Sequence, residues 1–133
     1  MIVVDATVLA DFLAGDETLK RAAEALMLED SSWVSVGLWR YELGNVFWKK
    51  LRFGDGGEEP GLRLSLTEAG SFLLETVDDV DCGAVWAIAT TLGLTFYDAS
   101  YVWLARNRSL ELRTRDKQIL RECRDVARPM PGS

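Results

Sequence analysis

Histidine is absent from this sequence of 133 residues. The absence removes the side chain that serves most often as a general base and as a metal ligand. Ser-His-Asp and Cys-His catalytic sites are therefore excluded. If the protein is an enzyme, we expect its chemistry to rest on carboxylates, with or without a hard metal ion that prefers oxygen ligands.

Cysteine is scarce, and Cys82 and Cys123 are the two examples in the chain. They form no Cys-x-x-Cys pair and lack the spacing of metal ligands, so a zinc site is not predicted. We expect two free, buried thiols, as is usual for a cytosolic protein.

Long apolar runs are also lacking. No stretch reaches the roughly 18 consecutive apolar residues that indicate a membrane-spanning helix. The N-terminal sequence MIVVD has no basic region ahead of an apolar run, which argues against a signal peptide. We therefore expect a cytoplasmic protein without membrane association.

The net charge of −6 is unusual for a nucleic-acid-binding protein, but the charges are unevenly distributed. Residues 106–128 contain eight basic and four acidic residues, whereas the segment before them is acidic. A basic segment on an acidic body is able to contact a polyanion. A solvated helix face is the alternative interpretation of the same pattern.

Short β-branched runs alternate with amphipathic patterns along the chain. Strands are predicted at residues 2–4, 33–36, 77–80, 110–114 and 126–127. A glycine-rich loop is predicted at 54–63, and helices at 6–14, 17–29, 38–53, from Ser65 or Thr67 to about 76, 82–92, 98–107 and 116–124. The alternation predicts a single α/β domain at residues 1–128, with a mainly parallel sheet of four to five strands flanked by helices, and a loose tail at 129–133.

Four acidic residues occupy the joints between predicted elements. Asp5 and Asp116 follow predicted strands, at the edge where open α/β sheets bind ligands. Glu42 and Asp98 lie near predicted helix starts, and each shares a helix face with apolar residues. Any one of them alone is most simply a helix cap or a surface acid. As a set, the four are placed so that they are able to converge on one cleft.

Convergent carboxylates repel one another strongly. Two of them ~5 Å apart cost about 3 kcal/mol at an effective dielectric constant of about 20. A site of this kind therefore holds protons or binds a divalent cation, and oxygen ligands favour Mg²⁺ or Mn²⁺. Such ions support hydrolysis of a phosphodiester without histidine.

Four segments, VVDATVLADFL, WRYELGNVFWKKLR, LGLTFYDASYVWLA and LELRTRDKQIL, resemble the successive motifs of the PIN domain. The similarity extends from residue 2 to about 120 and is strongest to the VapC-type toxin ribonucleases of toxin–antitoxin modules. It implies a PIN-like nuclease domain with a parallel α/β sheet, and an endoribonuclease that cleaves single-stranded or looped RNA with Mg²⁺ or Mn²⁺ and metal-activated water. It also implies a homodimer and inhibition by an antitoxin whose C-terminal segment wraps the toxin.

The resemblance also assigns residues. It implies that the catalytic and metal-binding acids are Asp5, Glu42, Asp98 and Asp116. The positions that match the family's supporting polar residues are Thr7, Asn45 and Thr114. The chain departs from the family at Arg113 and Arg115, either of which is able to neutralise Asp116 or contact a phosphate. With Lys117, these two arginines are expected near the RNA backbone.

Several alternatives remain open. A haloacid dehalogenase-like phosphatase needs a second acid where this chain has Thr7, and a receiver-like signalling domain needs an acid pair whose spacing fails here. More serious rivals are a PIN ribonuclease of RNA maturation or decay outside any toxin–antitoxin module, and a catalytically idle PIN-like binding module. Trp39 and Trp48 flank Glu42, and they pack in the core or line a groove for an antitoxin or a dimer partner.

Overall fold

A computed structural model describes residues 1–54 and 57–132. Within them, five strands form one sheet in the order β3-β2-β1-β4-β5, and every neighbouring pair is parallel. The strands are β1 (Ile2–Val4), β2 (Trp33–Val36), β3 (Glu75–Val77), β4 (Leu112–Arg113) and β5 (Ala127–Arg128). The predicted α/β fold with a mainly parallel sheet of four to five strands is confirmed.

Helices provide the connections between these strands. In the described residues they are α1 (Ala6–Ala14), α2 (Glu17–Glu29), α3 (Trp39–Phe53), α4 (Glu59–Glu68), α5 (Cys82–Leu92), α6 (Phe96–Arg108) and α7 (Lys117–Glu122). A short 3-10 turn, Ala69–Phe72, follows α4. None of the described helices combines the length and the apolar character that crossing a membrane requires.

The sheet separates two hydrophobic cores. Successive side chains of a strand point to opposite faces, so Val3 packs with α5, α6 and α7, while Ile2 and Val4 pack with α1 to α4. Val3 and Val4 are fully buried, and each such side chain contributes roughly 1.5–3 kcal/mol through burial. This packing fixes the central strand β1, and with it the position of Asp5 directly after the strand.

Side-chain caps determine where several helices begin. Asp5 accepts a hydrogen bond from the backbone N–H of Val8 at 3.0 Å, and Asp116 accepts one from Ile119 at 2.9 Å. Thr95 caps α6 by accepting from the N–H of Asp98 at 3.1 Å. Each cap contributes about 1 kcal/mol. Asp5 and Asp116 cap helices that follow β1 and β4, so both acids also lie at the carboxyl edge of the sheet.

The sequence pattern misplaced the fourth helix. A loop was predicted at 54–63 with a helix starting at Ser65 or Thr67, but α4 begins at Glu59. Pro60 lies in its first turn, where a missing N–H is harmless and the fixed φ favours a helix. Residues 55–56 of the predicted loop lie outside the described residues. Glycine and proline are typical of loops, so this composition favoured a loop even where Pro60 and Gly61 lie inside the helix.

Smaller differences concern four other predictions. β3 lies at Glu75–Val77 rather than at 77–80. In the tail that was expected to be loose, Met130 is buried in the core with α1 to α4. The expectation of two buried thiols is wrong for Cys82, which is free but exposed, and right for Cys123. Trp39 is buried and donates to Thr76 Oγ1 at 3.0 Å, whereas Trp48 is exposed, so the two tryptophans have different surroundings.

Candidate active site

Asp5 lies at the carboxyl end of β1 and is almost fully buried, with 8% of its surface exposed. Oδ1 accepts from the N–H of Val8, and Oδ2 accepts from the hydroxyl of Thr114 at 2.9 Å. The parallel register, which pairs Val4 with Arg113, brings Thr114 beside Asp5. Both oxygens of this carboxylate are therefore held in a fixed orientation by neighbouring elements.

Thr114 connects the two acids that end neighbouring strands. Its hydroxyl donates to Asp5, and the same oxygen accepts from the backbone N–H of Asp116 at 3.1 Å. Thr114 is 1% exposed, so water does not compete for these bonds. The resemblance placed Thr114 beside the last acid, and the structure gives it a bond to the first acid as well.

Glu42 projects from the first turn of α3 towards α6. The hydroxyl of Tyr101 donates to its Oε1 at 2.6 Å. Tyr101 is 1% exposed, and a buried hydroxyl of this kind needs a partner. Sequence reasoning did not assign Tyr101 to the site. Its spacing could have indicated a place in the site, because Tyr101 follows Asp98 by three residues and therefore lies on the same face of α6.

Asp98 is half-buried in the first turn of α6. Its backbone N–H donates a hydrogen bond to the hydroxyl oxygen of Thr95. Burial raises the pKa of the Asp98 carboxyl, the negative charge of Asp116 raises it further, and the Thr95 hydroxyl opposes this shift. Asp98 therefore interacts with Asp116, the acid at the junction of β4 and α7.

The other two acids are part of the same electrostatic group. Burial raises the pKa of Asp5 to about 6; the hydrogen bonds from Val8 and Thr114 oppose the rise, and the charges of Glu42 and Asp98 add to it. Burial likewise raises the pKa of Glu42, against the hydrogen bond from Tyr101 and together with the charge of Asp98. The four predicted acids thus form a continuous set, in which each is repelled by at least one other.

The donor set fits a hard divalent cation. Within residues 1–54 and 57–132, no three acidic or cysteine side chains approach closely enough to hold a metal ion between them. Mg²⁺ commonly binds through one or two carboxylates and keeps several water molecules, so it does not need a closed cage of protein ligands. Burial is the main cause of the raised pKa of Asp5, Glu42 and Asp98, and the repulsion between the acids that adds to it is the kind that a bound cation relieves.

Two further predicted residues lie near this group without hydrogen-bonding to it. Thr7, in the first turn of α1, is half-buried and lines a groove with Arg115. Asn45, one turn after Glu42 on α3, is exposed. Among the described residues, the structure gives neither side chain a hydrogen bond to an acid of the site. Their supporting roles stay predictions.

The arginines beside Asp116 have other partners. Arg113 donates to the carbonyl of Pro129 at 3.0 Å and to Glu29 at 3.2 Å. Arg115 pairs with Asp11. In the part of the chain that the structure describes, neither pairs with Asp116, so the first alternative, neutralisation of this acid, is wrong, and the second, contact with a phosphate, stays a prediction. Lys117 is exposed at the start of α7, next to Asp116.

The basic segment is largely neutralised by acids of the protein itself. Six of the eight basic residues in 106–128 form ion pairs with described acids: Arg106, Arg108, Arg113, Arg115, Arg121 and Arg128. Most of these pairs are at least partly exposed, where such contacts contribute little. The interpretation as a solvated face is therefore favoured over a continuous polyanion-binding stripe.

Comparison with known proteins gives a consistent assignment. The sequence model of the PIN domain family matches residues 2–124. A protein named Exonuclease VapC9 from Pyrobaculum aerophilum is 36% identical over 80 residues, which cover 60% of this chain and 59% of that protein. The chain thus spans less than two thirds of the length of this relative.

Solved structures share the fold. The crystal structure of PAE2754 from Pyrobaculum aerophilum superposes with a TM-score of 0.75 at 27% identity, over 95% of this chain and 81% of that one. FitAcB from Neisseria gonorrhoeae gives 0.63 at 18% identity, over 96% of each chain. Mycobacterium tuberculosis VapC20, described as a Sarcin-Ricin loop cleaving toxin, gives 0.61 at 14% identity, over 84% of this chain and 85% of that one. The last two are similar in fold alone.

Proposed function

Because the chain belongs to the PIN domain family, we propose that it is a metal-dependent endoribonuclease and the toxin of a type II toxin–antitoxin pair. One observation carries the proposal: Asp5, Glu42, Asp98 and Asp116 come from four separate parts of the chain and form one electrostatic group at the carboxyl edge of the sheet. Carboxylates that repel one another and form no ion pair with a described residue are typical of a site for a divalent cation.

Mg²⁺ or Mn²⁺ would bind within the group of four acids beside the phosphodiester, held directly by one or two of the carboxylates and by the others through its water molecules. A divalent cation, when bound, supplies Lewis-acid polarisation of a phosphodiester oxygen and acidifies the attacking water. Thr114 holds Asp5 in one orientation, and Tyr101 does the same for Glu42. Fixed carboxylates of this kind reduce the reorganisation that a reaction requires, which is the main advantage of a preorganised polar site.

The names of the relatives support the biological role. A VapC-named protein is the relative with 36% identity, and a toxin that cleaves the Sarcin-Ricin loop shares the fold. We therefore propose RNA as the substrate, a cognate antitoxin as the partner, a homodimer as the assembly and the cytoplasm as the location. Exposed aromatic residues on α3, Tyr41, Trp48 and Phe53, offer contact area for the antitoxin or the second subunit.

A second candidate activity follows from the name of the same relative, which is called an exonuclease. Circular RNA separates the two activities because it has no end at which an exonuclease is able to start. We expect the protein to linearise circular RNA in Mg²⁺ and to lose this activity in EDTA. Degradation of linear RNA with circular RNA left intact would instead assign an exonuclease.

The reaction itself is tested by Asp98→Asn, with Asp78→Asn as the matched control. Asp78 is exposed, pairs with Arg40, and is not among the charges that shift the pKa of Asp5, Glu42 or Asp98. We expect Asp98→Asn to abolish cleavage while the control retains it. Equal cleavage by both variants, or no cleavage by the wild-type protein, contradicts the proposal and favours a catalytically idle binding module.

The toxin role is tested in cells. Induction of the wild-type protein in a bacterial host is expected to stop growth, and induction of Asp98→Asn is not. A short gene that overlaps the upstream end of this one would encode the expected antitoxin, and its co-expression should restore growth. Unchanged growth, together with RNA cleavage in vitro, would assign a nuclease of RNA maturation or decay.

A further inference from the structure

Asp11 is a buried acid outside the group of four. It lies on α1 and is 4% exposed. Its partner Arg115 comes from the segment between β4 and α7, so the pair joins two elements that are 104 residues apart in the chain. Nε donates to Oδ2 at 2.8 Å, and Nη2 donates to Oδ1 at 3.1 Å. This side-on pairing fixes the plane of the guanidinium.

The two members of the pair differ in exposure. The side chain of Asp11 is 6% exposed, whereas that of Arg115 is 46% exposed. The pairing uses Nε and one N–H of Nη2, which directs Nη1 away from Asp11. The buried acid therefore holds an arginine whose outer N–H groups remain accessible. Planar, preoriented N–H groups of this kind suit a phosphate.

Arg115 stands between the acidic site and a groove. The groove has a volume of about 550 Å³, and its lining includes Thr7, Lys49, Lys50 and Phe53 together with Arg115. On the other side, the negative charge of Asp5 also acts on Arg115. Because Arg115 lines the groove and is close enough to Asp5 for their charges to interact, a strand bound at the acidic site is able to continue past Arg115 towards the two lysines of α3.

Charge supports a polyanion as the occupant of this groove. Its lining contributes the three basic side chains of Lys49, Lys50 and Arg115, and one acid, Asp11, that is already paired. The four acids repel phosphates, so an RNA strand needs cations beside them to remain bound. The apolar part of the lining, which includes Phe53, is able to contact a base or a ribose.

We propose that Asp11 is a positioning residue that holds Arg115 as a fixed contact for a non-scissile phosphate of single-stranded RNA lying in this groove. The proposal rests on the ribonuclease function proposed above. A purely structural role explains the pair less well, since a buried carboxylate paired with an exposed arginine is weak as a source of stability. Orientation of the Arg115 guanidinium for substrate binding explains better why Asp11 is buried beside it.

The test compares four variants: Arg115→Ala, Arg115→Lys, Asp11→Asn and the double variant Asp11→Asn/Arg115→Ala. The dissociation constant of a fluorescein-labelled single-stranded RNA of mixed sequence is measured by anisotropy in EDTA, where cleavage does not interfere. kcat and KM are then measured in Mg²⁺. Arg108→Ala is the matched control, because Arg108 forms a bidentate pair with Glu75 at the far end of α6.

Loss of one charge-assisted phosphate contact in Arg115→Ala should raise Kd roughly tenfold. It should also lower the salt slope of binding by about 0.7. KM should rise while kcat changes little, because the phosphate is not the one that reacts. Arg115→Lys should recover part of the affinity, since it keeps the charge but lacks the planar fork.

Asp11→Asn separates positioning from stability. It should weaken RNA binding in the wild-type background and have no further effect on Kd in the Arg115→Ala background. An equal effect in both backgrounds, with a matching fall in Tm, would overturn the positioning role. If Asp11→Asn fails to fold, Arg115→Ala still tests the phosphate contact. If Arg115→Ala and Arg108→Ala have the same Kd for RNA, the phosphate contact is overturned.

The two proposals fail in different ways. A wild-type protein that cleaves RNA in Mg²⁺ but whose Kd does not depend on Arg115 contradicts only the phosphate contact. A wild-type protein that neither binds nor cleaves RNA overturns this inference together with the proposed function.

Discussion

Thr114 and Asp5, separated by 109 residues in the chain, are joined by a hydrogen bond of 2.9 Å from the hydroxyl to Oδ2. The same hydroxyl oxygen accepts from the N–H of Asp116. The Thr114 hydroxyl has a single hydrogen. Because its oxygen acts as the acceptor for the N–H of Asp116, that hydrogen is donated to Asp5. The arrangement couples the acid after β1 to the acid after β4, and it makes Thr114 the centre of the strand-end half of the site.

Replacement of Thr114 by valine removes the hydroxyl at nearly constant volume. Asp5 then loses a bond that lowers its pKa, so its pKa should rise above about 6. We expect the free energy of unfolding to fall by roughly 1–3 kcal/mol, because buried polar groups are left without a partner. RNA cleavage at neutral pH should fall as well. Thr114→Ser, which keeps the hydroxyl, should retain most of both properties, and a Thr114→Val protein with unchanged cleavage would contradict this role.

The stability of the metal-free protein should depend on pH through Asp5. Its folded pKa of about 6 lies above the ordinary value of 3.8 for an aspartate, so the folded state binds more protons than the unfolded state between these pH values. Stability is therefore highest below pH ~4 for this group and is lost as the pH rises through ~6, by about 3 kcal/mol in total. Asp5→Asn should remove this contribution in urea titrations across that range.

The pH dependence has a matched control in Asp78→Asn, an exposed acid paired with Arg40. This variant should retain the decline in stability between pH 4 and 6 that is expected of the wild type. If Asp5→Asn and the wild type gave parallel curves of unfolding free energy against pH, the buried, proton-retaining state of Asp5 would be refuted.

Removal of the Tyr101 hydroxyl tests the helix half of the site. The hydrogen bond from Tyr101 lowers the pKa of Glu42, so Tyr101→Phe should raise that pKa further. In a plot of cleavage rate against pH, the rising limb should move to higher pH, because Glu42 then loses its proton at a higher pH. Tyr41→Phe is the control, since Tyr41 is exposed on the same helix as Glu42. Identical pH profiles for both variants would exclude the proposed role of Tyr101.

Core packing on the α5–α7 face gives a prediction independent of function. Leu104 is fully buried on α6, whereas Leu28 on α2 is 90% exposed. Leu104→Ala should lower the free energy of unfolding by roughly 2–5 kcal/mol through lost burial and a residual cavity. Leu28→Ala should change it by less than about 0.5 kcal/mol. Comparable losses in chemical denaturation would contradict the packing described here.

The fold was predictable because the local sequence patterns indicate the same strands and helices that the packed structure contains. The β-branched run before Asp5 and the acid that caps the next helix both indicate a strand followed by a helix, as the structure has them. At α4 the local signals conflict, because Pro60 and Gly61 indicate a loop while they lie inside a helix. Position in the first turn decides whether a proline breaks a helix or starts one, and composition alone does not reveal that position.

That the four acids interact was predictable from their places along the chain, whereas their hydrogen-bond partners were not, and their catalytic role stays a prediction. Tyr101 binds Glu42 across 59 residues of sequence, and Asp11 binds Arg115 across 104. No local pattern contains such pairings, since they depend on how α1, α3 and α6 pack around the sheet. For the same reason, the sequence left two alternatives open for Arg115, neutralisation of its neighbour Asp116 and contact with a phosphate.

The most direct test of the account is the rate of RNA cleavage in Mg²⁺ for the single variants Asp5→Asn, Glu42→Gln, Asp98→Asn and Asp116→Asn, with Asp78→Asn as the exposed control. The account predicts a loss of at least roughly a hundredfold for each of the four, as is common when a group that stabilises the transition state is removed, with folding intact by circular dichroism and full activity in the control. Wild-type rates in Asp5→Asn would contradict the assignment of this carboxylate group as the catalytic centre.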